Sequence, residues 1–189
     1  SWLQTLYSKM QKNKITLIGG RMFEKYVDNP CNYWRSLRIA QQWGDEDILN
    51  PNFVFGCNNL LDTNNIEIRN IFNLQGEYFK TNGEDIEFSK YLKEKKLKIY
   101  YCSESICYHL QDDDIKSLSN RYWRYLYYGD GFKKRNFIKT IKNIIRQFKK
   151  TIKWSLQDIF NLRFRLLKVN FGLLFYFCKL DYNHMKNKI

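Results

Sequence analysis

Between Gly83 and His109 the hydrophobic period changes from that of a helix to that of a strand, and this switch most constrains the fold. Phe88, Tyr91 and Leu92 recur at helical spacing with Lys90, Lys93 and Lys95 between them, predicting an amphipathic helix from Glu84 to Lys96. Ile99-Tyr100-Tyr101 and Ser105-Ile106-Cys107-Tyr108 then read as two short strands, because aromatic and β-branched residues cluster there. His109 closes the second. Glu84 and Asp85 fall in the first helical turn, where the macrodipole and free N–H groups favour ionised carboxylates. Both are expected to be charged at neutral pH, and a charged carboxylate can accept a proton. An acidic pair after a glycine is also an ordinary helix start, so spacing alone leaves both roles open.

Upstream, residues 2–12 have helical periodicity, and Ile15-Thr16-Leu17-Ile18 reads as a buried strand stopped by Gly19-Gly20. Helix, strand and glycines in this order predict an α/β layer. Residues 21–52 read as irregular, with Asp28-Asn29-Pro30 as a turn and Trp34 and Trp43 as core aromatics or as stacking faces for a sugar ring. Phe53–Leu61 reads as a strand with Gly56 inside it and the amides Asn58 and Asn59 beyond. A glycine there permits close approach of a ligand, while the amides also suit a strand-ending turn. Asp112-Asp113-Asp114 reads as a capped helix start in preference to a metal site. The helix that follows carries Leu118, Tyr122, Tyr125 and Leu126, bears Arg121 and Arg124, and ends at Gly129-Asp130-Gly131.

With 189 residues, 44% hydrophobic and 17% aromatic, the chain has ample material for a packed core, which excludes disorder throughout. Its 5 cysteines form no Cys-x-x-Cys pair, so reduced thiols are expected, with Cys102 and Cys107 as small buried hydrophobes. The net charge of +13 is unevenly spread. Residues 1–115 hold 14 Lys/Arg against 16 Asp/Glu, and residues 116–189 hold 18 against 3. Such asymmetry implies a polyanionic partner. From Lys133 on, Phe137, Ile141, Ile144, Ile145, Phe148, Ile152 and Ile159 share one helical face, with lysines largely off it. The more apolar stretch 162–178 contains Arg163, Arg165 and Lys168 and is too short to span a bilayer. Residues 133–189 are therefore expected to lie on an anionic membrane surface or to pack on the body or a partner chain. Helical periodicity is under way at Ser1, so the chain is expected to be cut from a longer one.

Gly83-Glu84-Asp85 opening a helix, a Lys-rich helix end, Ile99-Tyr100-Tyr101 and a strand closing in Tyr108-His109 resemble the C-terminal half of the GT-A (Rossmann-like) domain of family 2 glycosyltransferases and the related galactosyltransferase C-terminal region. Gly56 and Asn58 match that family's strand ending in Gly-x-Asn, which lines the donor and acceptor sugars. Asn73–Phe79 is a looser match. The resemblance implies an α/β fold over residues 1–131, followed by a basic amphipathic helical tail over 132–189. It also implies Asp85 as general base beside Glu84, and substrate contacts from Gly56, Asn58 and Arg121 or Arg124; Asn59 and a stacking Trp34 are further candidates from the residues themselves. Further, it implies a divalent cation, Mg²⁺ or Mn²⁺, near His109. That cation would be held mainly by an Asp-x-Asp motif that this chain does not contain.

The expected activity is inverting transfer from a nucleotide-sugar donor to a hydroxyl of a glycan or lipid-linked saccharide, on the cytoplasmic face of a membrane. The alternatives are a nucleic-acid-binding module built on the basic tail with Arg121-Tyr122-Trp123-Arg124-Tyr125, and a non-catalytic helical scaffold. An Ile/Phe seam beside the lysines suits a membrane or protein partner better than nucleic acid.

Overall fold

The computed structural model describes residues 1–64, 83–129 and 137–186, with the side chains of 127–129 left aside. Asn73–Phe79 and the start of the tail at Lys133 lie outside the described residues. Helices combine with a mixed sheet in a general α/β arrangement. Contacts divide the chain into two compact units, Ser1–Lys25 with Ile39–Leu110, and Tyr26–Arg38 with Gln111–Ile189.

In the first unit, α1 (Trp2–Asn13) starts at Ser1, whose side chain accepts from the Gln4 amide at 3.3 Å, and ends at a left-handed Lys14 with φ 51. Strand β1 (Leu17–Glu24) follows, then β2 (Ile48–Leu49), β3 (Asn59–Leu61), α3 (Glu84–Glu94) and β4 (Ile99–His109). The sheet order is β2-β4-β1-β3, with β1 and β4 parallel and the outer pairs antiparallel. Side chains alternate across the sheet. Ile18 and Cys102 therefore meet Leu6 and Met10 of α1, while Leu17 and Ile99 meet Leu92 of α3.

Three expectations change here. Gly19 and Gly20 do not stop β1 but lie inside it: a Cβ on Gly19 would collide with Val54 and one on Gly20 with the Ser105 carbonyl. Only Asn59–Leu61 of the stretch 53–61 is strand. Ile99–His109 is one strand, read as two because its register against β1 shifts between Gly20 and Arg21.

The second unit holds α2 (Pro30–Arg38), α4 (Ile115–Gly129), α5 (Phe137–Phe160) and α6 (Arg165–Lys186). Asn29-Pro30 begins α2 where a turn was expected: the Asn29 side chain accepts from the Cys31 amide at 2.8 Å, and Pro30 needs no N–H partner. Asp114 caps α4 as expected, accepting from the Ser117 amide at 2.6 Å. Its neighbour Asp113 is instead buried in an ion pair with Arg35. Trp34 is wholly buried, its ring edge-on to Tyr122 at 5.5 Å and to Trp154 at 5.4 Å. Its indole N–H donates to Asn170 at 2.8 Å. Among the described residues no helix is long and apolar enough to cross a membrane.

Candidate functional site

In open α/β sheets ligands gather at the carboxyl ends of parallel strands. Here those ends belong to β1 and β4, where Phe23 pairs with Tyr108 and Glu24 with His109. His109 Nδ1 lies 3.2 Å from each carboxylate oxygen of Glu24, whose side chain is only 7% exposed. The pair is fixed by register, and the Lys25 amide donates to the His109 carbonyl at 3.0 Å just beyond it.

Asn58 is buried and braces the irregular register below this end. Its side-chain amide donates to the Arg21 carbonyl at 3.1 Å and the Ser105 carbonyl at 3.4 Å, and its own carbonyl accepts from Gly20 at 2.8 Å. Its Oδ1 is buried with no hydrogen-bond partner among the described residues. Asn59 turns back on the loop, donating to the Phe55 carbonyl at 3.2 Å. These two amides therefore shape the loop that carries Gly56 and Cys57. Trp43 packs with Phe53 and Phe55 at ring distances of 5.1 and 5.7 Å, closing the same loop from the side.

Asp85 stands where α3 begins, after Gly83, whose φ of 136 is open to glycine alone. The Ile86 amide donates to its carboxylate at 2.9 Å. Burial is the larger influence: it raises the carboxyl above its usual range, and the charge of Glu84 adds to the effect. Burial thus acts against the helix start, which favours ionisation. Glu84 is exposed and accepts from the Gly83 amide at 2.8 Å. Desolvation pushes the nearby Cys57 thiol up to about 11, and Cys107, Asp85 and Glu24 act on it electrostatically in the same direction. Its Sγ reaches Gln41 Oε1 at 3.0 Å.

Glu24 and His109 thus adjoin, the Gly56 loop faces Asp85, and Cys57 feels the charges of Asp85, Cys107 and Glu24. Three residues of the expected set belong to the other unit. Trp34 has no exposed face with which to stack on a sugar. Arg121 donates from Nε to Asp113 at 3.2 Å, and Arg124 is exposed on α4. Glu24 and Cys57 escaped the sequence reading because the region after Gly20 looked irregular; an alternating Met22/Glu24 pattern is their only signal. Cys107, expected to be buried, is half-buried.

A Mg²⁺ or Mn²⁺ site asks for several oxygen ligands. Among the described residues no group of three or more His, Cys, Asp or Glu side chains converges on such a site. His109 and Glu24 supply one imidazole and one carboxylate turned toward each other, which does not fit an oxygen-preferring cation. No family model matches the chain, and neither a curated protein nor a solved structure matches it.

Proposed function

We propose that this chain carries the acceptor side of a GT-A, family 2-like glycosyltransferase, with Asp85 as general base. The observation that carries the reading is the placement of Asp85: a partly buried carboxylate in a helix's first turn, facing the loop that carries Gly56. Burial raises its proton affinity, which makes it a stronger base than a solvated carboxylate. In the proposed step the acceptor hydroxyl oxygen forms a bond to the anomeric carbon as the bond to the nucleoside diphosphate breaks. The hydroxyl proton passes to Asp85, and the diphosphate leaves with the bonding electrons. With one base and direct displacement, the anomeric centre inverts. Glu24 orients His109 beside this region, and no step runs through a metal.

The nucleic-acid reading draws less support. Tyr122 is buried, with ring contacts to Trp34 and Phe177, so its ring is not presented for base stacking, and the Trp123 indole is engaged with Asp181 at 2.7 Å. The test is to incubate the intact protein with uridine, guanosine and thymidine diphosphate sugars and saccharide acceptors, and to measure nucleoside diphosphate release. Acceptor-dependent release is expected. Its absence across all pairs, with the protein folded, would remove the proposal.

A further inference from the structure

The helix α5 is packed inside out. Its buried residues are Thr140, Asn143, Gln147, Thr151, Ser155 and Asp158, a polar row. Ile141, Ile145, Phe148, Ile152, Leu156 and Ile159 face outward, with Phe148 53% exposed. Ile144, expected on the same face, is partly turned inward. A helix that meets only water does the reverse, because exposed apolar surface is unfavourable. The polar row is well used: Tyr122 donates to Gln147 at 3.2 Å, and Asn170 donates to Ser155 at 3.3 Å and Asp158 at 2.9 Å. The orientation is thus held by specific hydrogen bonds.

The contacts Asn143–Asp181 and Asp158–Asn170 make α5 and α6 antiparallel. On α6, Phe171, Phe175 and Tyr182 are exposed, Phe175 by 67%, and the connecting turn adds Leu162 and Phe164. Counting about 100° per residue, the α5 row lies about 120° and the α6 row about 150° round from the buried line, in the same rotational sense. Antiparallel pairing turns both rows to one side of the hairpin. Lys142, Arg146, Lys149 and Lys153 flank the row on α5, and Lys168 and Lys179 flank it on α6. Between Phe137 and Lys186 the only carboxylates are Asp158 and Asp181, and both are buried.

We infer that the α5–α6 hairpin lies on an anionic lipid bilayer, its Ile/Phe rows in the acyl boundary and its basic flanks at the headgroups. Charge decides against a second copy, since the hairpin surface offers cations and no exposed carboxylate to answer them. The inference is independent of glycosyl transfer.

The experiment is co-sedimentation of the full chain with vesicles of equal parts phosphatidylcholine and phosphatidylglycerol, and with phosphatidylcholine alone. Strong binding is expected only with phosphatidylglycerol present. Lys142→Gln with Lys149→Gln and Lys153→Gln should weaken it about a hundredfold. Ile145→Asp with Phe148→Asp should weaken it about a hundredfold or more, even where salt screens the charges. Because these side chains are exposed, circular dichroism should show unchanged helicity. Should a variant fail to fold, Phe148→Trp in the otherwise unaltered chain supplies a second readout: its emission should shift to the blue on vesicles. Vesicle binding unaffected by the aspartates overturns the inference. So does a dimer in ultracentrifugation that the aspartates dissolve while vesicles stay unbound, or oligonucleotide binding without vesicle binding.

Discussion

A Cβ added to Gly56 would lie 3.6 Å from the Cβ of Asp85, so a methyl group on the loop would come into van der Waals contact with the proposed base. A methyl group fits at that distance; a larger side chain brings further atoms up beside the carboxylate. Gly56→Ala is expected to keep near-normal turnover, whereas Gly56→Leu should displace the carboxylate and lower turnover roughly tenfold to a hundredfold. Gly56 is exposed, so the melting temperature should barely move in either variant. Parallel kcat and Tm measurements check this.

Asp113 and Arg35 form an ion pair with both side chains almost fully buried, at 0% and 3% exposure. Arg35 also donates to the Gln111 carbonyl at 2.9 Å, and Asn32 accepts from the Asp113 amide at 3.0 Å. Removing Asp113 takes a carboxylate away from a buried guanidinium. Asp113→Ala should therefore cost about 3–5 kcal/mol of stability, and Arg35→Met with Asp113→Leu should recover part of it. Urea midpoints of the single and double variants decide the matter.

Asp47 joins α1 to β4, accepting from Lys9 at 2.5 Å, from the Ser103 amide at 2.8 Å and from the Tyr100 hydroxyl at 2.9 Å. Burial opposes its ionisation, but these donors outweigh that and hold the carboxyl at about 2 against an ordinary 3.8. A lowered value means that the stabilisation is present above the ordinary pKa and is lost as pH falls through the folded one. Asp47→Asn should cost about 1–2 kcal/mol near neutral pH after solvent screening. The difference should shrink as the pH falls below 3.8 and vanish only below about 2, where Asp47 is protonated in the folded protein too. Thermal melts across the acid range measure it.

The helices were readable because their apolar spacing survives in the sequence: Phe88, Tyr91 and Leu92 mark α3, and Leu118 and Tyr122 mark α4. Strand limits were not. Gly19 and Gly20 look like punctuation, yet they sit inside β1 because Val54 and Ser105 come too close for a side chain, and nothing local announces that. The short helix α2 hid behind Asn29-Pro30, which signals a turn and a helix start equally well. At the site, Asp85 and Gly56 could be named beforehand, whereas Glu24 reaches His109 only through a strand register that no local pattern encodes. The hairpin's seam was visible as a period, but which side of it faces inward depends on partners such as Tyr122, far away in sequence.

The most direct measurement of the central claim compares Asp85→Asn with the unaltered intact protein in turnover and in thermal stability. Because burial raises the Asp85 pKa, the stabilising protonated form is favoured below the ordinary value of 3.8, and its contribution is lost as pH rises through the folded value. At neutral pH the asparagine is thus expected to melt no lower than the aspartate. Turnover should nevertheless fall roughly 10²–10⁴-fold, the usual contribution of a positioned base, with donor binding nearly unchanged. Turnover that stays near normal in a folded Asp85→Asn protein would contradict the account.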